Sequence, residues 1–238
     1  MIGSLDIVRV DLGRRLIPYQ EGWDLQRHVH AEVVAGERPD TLLLLEHDEI
    51  FTAGSRTQPS DRPTDGSAVI EVDRGGRITW HGLGQLVGYP IIRLPQRLDV
   101  VSYVRDLEAL LIATCADFGV AADRVDGRSG VWVDSTTTDQ AIPPTQGSGG
   151  PQQSRRNKVA AVGIRVARGV TMHGFALNCD CALDWQERVV ACGIADAGVT
   201  SLSQITGRTV GVLDAADALE RHLRPTELHH RGTSDAPP

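Results

Sequence analysis

The order of apolar and polar positions along the chain predicts a mixture of strands and helices. Residues 41–46 (TLLLLE) form a continuous apolar run that is typical of a buried central strand, and residues 100–118 carry apolar positions at helical spacing. The other predicted strands are residues 5–12, 69–73, 78–80, 86–94, 131–133, 159–166 and 170–178, and the other predicted helices are residues 23–35 and 214–223. Because these elements alternate without a repeated strand–helix–strand unit, the pattern favours an α+β fold over a doubly wound parallel sheet.

Two polar segments set the predicted domain organisation. Residues 134–157 contain almost no core-forming side chains, so we expect a mobile loop within the domain. Residues 225–238 have the composition of a flexible C-terminal tail. Residues 1–224 are therefore predicted to form a single domain, which is long enough to bury a substantial core.

Composition and charge are those of a globular protein without an extended basic surface. Of the 238 residues, 41% are hydrophobic and 23% are charged, and the formal net charge is −7. This charge argues against a general nucleic-acid-binding protein, and an acidic partner would have to bind at a local basic patch. We expect a cytoplasmic protein, because the chain has no signal-peptide core and no apolar run near the roughly 20 residues that span a bilayer.

Lysine occurs once in the chain, at position 158, although lysine and arginine together number 24. An arginine side chain keeps its proton in proteins, whereas a desolvated lysine can release one near neutral pH. A lone lysine among arginines is therefore a candidate for proton transfer. A surface lysine retained by chance is the simpler alternative, and the pattern alone leaves both interpretations open.

The four cysteines match neither a disulfide framework nor a recognised zinc motif. Cys115 lies in the predicted helix at 100–118 and is most simply a core residue. Cys179 and Cys181 are separated by one residue and lack a second ligand pair, which makes zinc the weaker alternative. Cys192 precedes a glycine after an apolar stretch (VVACGI), and this position suits a nucleophilic thiol at a tight turn. Lys158 would favour its thiolate if the fold brings the two residues together, whereas a buried structural thiol is the alternative.

A glycine-rich segment, DRGGRITWHGLGQ at 73–85, forms a second candidate site. Its paired glycines permit positive φ and leave room for a ligand near the backbone, and Arg74, Arg77 and His81 accompany them. The spacing matches neither the phosphate-binding pattern G-x-x-x-x-G-K-S/T nor the dinucleotide-binding pattern G-x-G-x-x-G, so nucleotide binding has no support. A glycine-rich hairpin with incidental charges remains the alternative.

Four motifs together resemble those of the lipoyl(octanoyl) transferase family. They are RGGRITWHGLGQLVGYPI, KVAAVGIRV, HGFALNCDC and ACGI, and they occur in the family's order and at similar spacing. The resemblance covers roughly residues 5–223 and departs at Leu83, where the family usually has proline. It implies a single α+β domain like the catalytic domain of biotin protein ligases and lipoate ligases, with the acyl group held in a tunnel.

The resemblance also implies roles for individual residues. Cys192 would be the nucleophile that carries the acyl group as a thioester, and Lys158 would be its acid/base partner. The acyl group would be bound by Arg74, Gly75, Gly76, Arg77, Ile78, Thr79, Trp80 and His81, by Ala161, Val162 and Gly163, and by Gly174, Phe175 and Ala176. His81 and His173 would shape the pocket or relay protons, and a purely structural role is equally open for both.

The implied reaction moves an octanoyl (or lipoyl) group from acyl carrier protein, through the Cys192 thioester, to a lysine of lipoyl domains. The acceptors would be the E2 subunits of 2-oxoacid dehydrogenases and the glycine-cleavage H protein, and no nucleic acid or membrane partner is implied. Neither a metal nor a cofactor is expected, and ATP is not required, because the incoming thioester is already activated.

Three other functions fit parts of the pattern. An ATP-dependent lipoate or biotin protein ligase shares the fold but needs no nucleophilic cysteine. A papain-like hydrolase would pair Cys192 with His173, although the residues around Cys192 lack the papain-type signature. A non-catalytic acyl-carrier-binding module would form no thioester. ATP dependence, ester or peptide hydrolysis, and acylation of Cys192 distinguish these functions from the transferase.

Overall fold

The fold is built from a large mixed sheet, a small second sheet and four helices in the part of the chain that the structure describes. The computed structural model describes residues 5–95, 99–134, 156–189 and 197–223. The elements are β1 (Asp6–Arg9), α1 (Tyr19–Ala35), β2 (Thr41–Leu45), β3 (Ile50–Ala53), β4 (Val69–Glu71), β5 (Ile78–His81), β6 (Gln85–Ile91), α2 (Val100–Ala116), β7 (Asp123–Val125), β8 (Arg128–Asp134), β9 (Arg156–Ala167), β10 (Val170–Asn178), β11 (Gly198–Val199), α3 (Leu202–Thr206) and α4 (Val212–Leu223).

The large sheet has eight strands in the order β1-β2-β6-β10-β9-β8-β7, with β11 paired to β9. The pairs β1–β2 and β9–β11 are parallel, and the remaining pairs of this sheet are antiparallel. Strand β10, which is buried at every position, lies between β6 and β9. The centre of the sheet is therefore a rigid, buried scaffold that can hold side chains of β9 and β10 in fixed positions.

Helices cover both faces of the large sheet, and β2 shows how its sequence serves both. Leu42 and Leu44 join the core cluster that includes apolar residues of α2 and α4. Leu43 and Leu45 point to the other face and join the cluster that includes Val29 of α1. Because successive side chains of a strand face opposite sides, a strand covered on both sides requires a continuous apolar run.

The small sheet has three strands in the order β4-β3-β5 and carries an apolar cluster of its own. Phe51 of β3 and Trp80 of β5 pack there with Trp185 and Val189, which belong to the segment that follows β10. The rings of Trp80 and Trp185 are stacked, with centroids 5.3 Å apart. This cluster fixes the chain up to Val189 against the small sheet.

The α+β prediction is confirmed, and the strand predicted at 170–178 coincides with β10. The strands β3, β7 and β11 and the helix α3 were not predicted, because each has only two to five residues and shows no clear period.

The loop predicted at 134–157 is too long at both ends. Asp134 belongs to β8, and Arg156 and Asn157 belong to β9. These polar residues extend the β8–β9 ladder, and the carboxylate of Asp134 lies 3.1 Å from Nε of Arg156. Cross-strand hydrogen bonds and opposite charges therefore compensate for the lack of apolar side chains. The interior of the predicted loop, residues 135–155, and the predicted tail lie outside the described residues.

Candidate active site

A cavity of about 440 Å³ is lined by residues of β5, β8, β9 and β10, by Tyr19 of α1 and Tyr89 of β6, and by residues of the segments that follow β3 and that precede β5 and β8. Its volume falls within the range of sites that hold small organic ligands. Most of the residues predicted to bind the acyl group line it. From the sequence-predicted set these are Arg74, Gly76, Arg77, Ile78, Thr79, His81, Ala161, Val162, Gly163, Gly174, Phe175 and Ala176, together with Lys158.

The pairing of β9 with β10 brings the second and third predicted segments together. In this antiparallel register Ala161 lies opposite Ala176, Val162 opposite Phe175, and Gly163 opposite Gly174. Two segments that are separated along the chain thus form one continuous wall of small and apolar residues. Sequence spacing alone does not reveal this register.

Close backbone contacts at this wall explain why positions 163 and 174 are glycine. A β-carbon on Gly163 would lie 2.9 Å from the carbonyl oxygen of Gly75, and one on Gly174 would lie 2.2 Å from the carbonyl oxygen of Gly88. Both distances are shorter than van der Waals contact. Glycine at these positions lets the neighbouring backbone pack directly against the wall of the cavity.

Gly75 and Trp80, which were also predicted to bind the acyl group, do not line the cavity in the described part of the chain. The N–H group of Gly75 donates to the carbonyl oxygen of Ile164 at 2.9 Å, which ties the glycine turn to β9. The ring of Trp80 belongs to the apolar cluster of the small sheet and stacks on Trp185. Both residues therefore contact elements that form the wall without lining the cavity themselves.

Lys158 is 7% exposed and lies on β9 where β8 and β11 flank it. Its Nζ atom lies 4.5 Å from the centroid of the Trp132 ring, a cation–π distance. On another side, Nζ lies 3.5 Å from the position that a β-carbon on Gly130 would occupy. The ammonium group is therefore enclosed by an aromatic face and a glycine at one end of the cavity lining.

Cys192 lies outside the described residues, but the segments on both sides of it are described. Before it, Val189 is buried in the apolar cluster of the small sheet. After it, Val199 of β11 pairs with Lys158 of β9, and the N–H group of Thr200 donates to the carbonyl oxygen of Lys158 at 3.0 Å. The chain therefore returns from the cysteine segment directly alongside the lysine.

Arg74 is a buried guanidinium that donates to backbone carbonyls and to a hydroxyl. Its Nη1 donates to the carbonyl oxygens of Gly75 and Arg77, and its Nη2 donates to the carbonyl oxygen and hydroxyl of Thr52, at 2.8–3.0 Å. Arg77 instead forms a bidentate ion pair with the buried carboxylate of Asp61, with both N–O distances at 2.8 Å. Both guanidinium groups line the cavity, and the hydrogen bonds of each hold it in a fixed position there.

A chain of hydrogen bonds fixes the orientation of His81. The amide nitrogen of Asn178 donates to the carbonyl oxygen of Thr200 at 2.9 Å, so the Asn178 oxygen accepts from Nε2 of Gln85, also at 2.9 Å. The Gln85 oxygen then accepts from Nδ1 of His81 at 2.8 Å. In the neutral imidazole this leaves Nε2 of His81 without a proton, so it can act as an acceptor.

A buried group formed by Tyr19, His47 and Tyr89 was not predicted from the sequence. Nδ1 of His47 lies 2.7 Å from the carbonyl oxygen of Ile17, so it carries the proton, and Nε2 accepts from the Tyr89 hydroxyl at 2.6 Å. Burial lowers the pKa of His47 to about 4, and burial raises the pKa of Tyr19 to about 12. Burial and the neighbouring His47 hold the pKa of His81 well below its usual range. The sequence feature that could have indicated this group is His47, which directly follows the buried run at 41–46.

His173 lies at the side of the cavity in an unusual backbone conformation. Its φ is 57°, and its N–H group donates to the side-chain oxygen of Gln26 at 2.9 Å. Its Nε2 lies 2.7 Å from the carboxylate of Asp73, which also pairs with Arg165. Burial, followed by the charges of Arg74 and Arg165, lowers the pKa of His173 to about 3. A neutral imidazole therefore donates to Asp73, so the ring is held as a fixed part of the wall.

The ionic groups that line the cavity are positively charged in the described part of the chain. They are Arg56, Arg74, Arg77, Arg128 and Lys158, and no aspartate or glutamate among the described residues lines it. These cationic side chains line the cavity of a chain whose net charge is −7. Such a surface attracts anionic groups.

The described residues contain neither a cluster of metal-ligating side chains nor a membrane-spanning helix. No three or more histidine, cysteine, aspartate or glutamate side chains lie together there in a way that would hold a metal ion. Cys179 and Cys181, for which zinc was the weaker alternative, are free thiols buried in the interior. Within the same ranges, no helix is both long and apolar enough to cross a bilayer.

Comparison with known proteins adds an independent line of evidence. Residues 18–224 match the lipoyl protein ligase A/B catalytic domain. An octanoyltransferase of Clavibacter sepedonicus is 58% identical over 219 residues, which are 92% of this chain and 89% of that protein. An octanoyltransferase of Thermobifida fusca is 54% identical over 214 residues, which are 89% of this chain and 85% of that protein.

The fold agrees with this relationship. A bipartite lipoate protein ligase from Thermoplasma acidophilum superposes with a TM-score of 0.61, covering 93% of this chain and 82% of that chain at 14% sequence identity. At this identity the likeness shows the fold alone. Taken with the identity to the curated relatives and the matched catalytic domain, it establishes that the chain belongs to the octanoyltransferase family of acyltransferases.

Proposed function

We propose that this enzyme transfers an octanoyl group from acyl carrier protein to a lysine of a lipoyl domain, through a thioester on Cys192 with Lys158 as acid/base. The observation that carries the assignment of residues is the position of Lys158. The only lysine of the chain is buried at the cavity, beside the strand that follows the cysteine segment.

The short distance along the chain supports a contact between the two residues. Cys192 is three residues from the buried Val189 and six from Gly198, so its Cα lies within ~10 Å of one anchor and ~21 Å of the other. Val199 pairs with Lys158, so the second anchor is adjacent to the lysine. Both limits are compatible with a thiol at the lysine end of the cavity.

The proposed reaction has two steps that balance in protons. In the first, the Cys192 thiolate attacks the carbonyl carbon of the octanoyl thioester, and the carrier thiolate leaves and takes a proton from the Lys158 ammonium. In the second, the lysine amine of the lipoyl domain attacks the Cys192 thioester. That amine loses a proton to Lys158, an amide forms, and the Cys192 thiolate is regenerated.

The wall of the cavity supports the choice of an acyl substrate. Ala161, Val162, Gly163, Phe175 and Ala176 form a strip of small and apolar groups that begins three residues from Lys158 on β9. An alkyl chain whose carbonyl carbon lies near Lys158 would extend along this strip. Removing its methylene groups from water would favour binding.

The charges at the cavity support partners that carry anionic groups. Arg56 and Arg128 are in the lining, and their side chains would attract an acidic carrier protein despite the negative net charge of the chain. Acyl carrier protein is therefore the proposed donor. Lipoyl domains of 2-oxoacid dehydrogenase E2 subunits and the glycine-cleavage H protein are the proposed acceptors.

Intact-protein mass spectrometry tests this proposal directly. The protein is mixed with octanoyl-acyl carrier protein without ATP, and the wild type is compared with Cys192→Ser and with Cys181→Ala as the matched thiol control. We expect a hydroxylamine-labile octanoyl adduct on the wild type and on Cys181→Ala, but not on Cys192→Ser. A folded wild type that forms no adduct, but that octanoylates a lipoyl domain once ATP and octanoate are added, would support the ATP-dependent ligase instead.

A further inference from the structure

We propose that Glu108 is a positioning residue that sets the geometry of Lys158 through Gly130. Glu108 lies on α2 and does not line the cavity within the described residues. The inference rests on the proposed function, because it assigns a role to Glu108 in the placement of the proposed acid/base.

Glu108 is a fully buried carboxylate whose two oxygens are used differently. Oε1 accepts a hydrogen bond from the N–H group of Gly130 at 2.8 Å. Oε2 accepts from Nη1 of Arg105 at 2.9 Å and lies 3.3 Å from Nε of Arg124. The arginines compensate the cost of burying the charge, which leaves Oε1 to hold the backbone of β8.

Gly130 is in a conformation that requires such support. Its φ is +105°, in the region that favours glycine, and a β-carbon there would lie 2.5 Å from the carbonyl oxygen of Ala160 and 3.3 Å from Cε of Lys158. The β8–β9 register shifts between the next two residues, so that Val131 lies opposite Ala160 but Trp132 lies opposite Lys158. This irregularity opens the space for the lysine side chain and places the Trp132 ring over its ammonium group.

The hydrogen bond from Gly130 to Glu108 therefore anchors α2 to the point where β8 departs from regular pairing. If the anchor is lost, Gly130 can relax toward a regular ladder and Trp132 can change its register relative to Lys158. A displacement on the order of 1 Å at a reacting group costs as much as about 100-fold in rate. Two elements outside the cavity would thus control the position of the proposed proton acceptor.

Two substitutions of Glu108 distinguish the effect of its side-chain length from the effect of its charge. Glu108→Gln keeps the length of the side chain and its acceptor for Gly130 but loses the charge that the arginines pair with. Glu108→Asp keeps the charge and shortens the side chain by one methylene, which breaks the contact with Gly130. Positioning predicts damage in Glu108→Asp and near-normal behaviour in Glu108→Gln, whereas simple neutralisation of Arg105 and Arg124 predicts the reverse.

The single lysine of the chain provides a direct spectroscopic readout. Protein grown with lysine labelled with ¹³C at Cε has one labelled residue, and we expect the nearby Trp132 ring to shift its Cε protons upfield. We expect Glu108→Asp to move this resonance toward the position of free lysine and to lower kcat for octanoyl transfer on the order of 100-fold. For Glu108→Gln we expect kcat within about threefold of the wild-type value and a lysine resonance close to the wild-type position.

Glu46→Gln and Glu46→Asp are the matched control pair, because Glu46 is also buried and accepts from a glycine N–H group, that of Gly84 at 2.9 Å. Neither should move the lysine resonance. An unchanged lysine resonance in a folded Glu108→Asp protein overturns the positioning role, as does a Glu108→Gln defect larger than that of Glu108→Asp. A wild type that shows the upfield resonance but forms no octanoyl thioester would refute the proposed function separately, since the resonance needs no substrate.

Discussion

The Tyr89 hydroxyl lies 2.6 Å from Nε2 of His47, and the carbonyl oxygen of Ile17 lies 2.7 Å from Nδ1, so both ring nitrogens of this buried histidine have a partner. In the neutral imidazole Nδ1 donates to the carbonyl and Nε2 accepts from the hydroxyl. Burial, the largest cause, lowers the pKa of His47 to about 4. The site is thus built around histidines that stay uncharged across the neutral range.

This arrangement predicts that the protein loses stability as pH falls through the range from about 6.5 to 4. There the unfolded chain binds a proton at His47 that the folded protein does not, so protonation favours unfolding. The contribution of His47 to the free energy of unfolding, fully present above pH 6.5, should fall by on the order of 3 kcal/mol. Urea titrations at several pH values measure it.

The control for this measurement is a pair of substitutions. His47→Gln should make the pH dependence less steep, with the rest supplied by His81 and His173, whereas His28→Gln, at an exposed position of α1, should leave it in place. A His47→Gln protein whose stability falls as steeply with pH as that of the wild type would contradict the assignment.

Lys158→Arg should abolish most of the octanoyl transfer and leave the fold intact. The guanidinium keeps the positive charge but does not act as a proton acceptor, and loss of general acid–base catalysis costs about 10²–10⁴-fold. The measurement is single-turnover loading of Cys192 and transfer to a lipoyl domain, with circular dichroism as the test of folding. Arg221→Lys, on the exposed surface of α4, controls for an exchange of the two cations. Activity close to wild type in Lys158→Arg would remove the lysine from the mechanism.

The features that could be predicted from the sequence are those carried by short, continuous segments. The run at 41–46 predicted a strand buried on both faces, and Leu42 and Leu43 indeed join different core clusters. The motifs predicted the family, and its members' identity over most of the chain confirms it. These features depend on local patterns or on residues close together in the chain.

The parts that escaped prediction depend on contacts between distant segments. Glu108 and Gly130 are linked across 22 positions by one hydrogen bond, and nothing in the helical pattern of residues 100–118 marks that glutamate as buried. His173 and Asp73 are 100 positions apart. Trp80 and Gly75 lie within a predicted binding motif, yet they face away from the cavity because strand and turn geometry directs them there. Pairing partners and side-chain direction must come from the tertiary structure.

Gly163→Ala should impair acyl binding by pushing the glycine turn away from β9. The new β-carbon would lie 2.9 Å from the carbonyl oxygen of Gly75, a backbone atom that cannot rotate away, so overpacking should cost about 1–3 kcal/mol of stability. The rate of Cys192 loading should fall about tenfold or more through a higher KM. Steady-state kinetics with octanoyl-acyl carrier protein give this value. Gly119→Ala, with positive φ and open space around it, should lower stability without raising KM.

Thiol alkylation of the folded protein should be confined to Cys192. Burial raises the pKa of Cys115 and Cys181 to about 12 and that of Cys179 well above its usual range. At pH 7.5 the thiolate fraction of Cys115 and of Cys181 is then below about one in ten thousand, and the thiolate is the species that reacts. Iodoacetamide treatment followed by peptide mapping should find one modified site, at a rate that Lys158→Met reduces. Modification of Cys181 at a comparable rate in the native protein would contradict the burial that the structure gives it, and equal Cys192 rates in the wild type and Lys158→Met would show that the lysine does not activate the thiol.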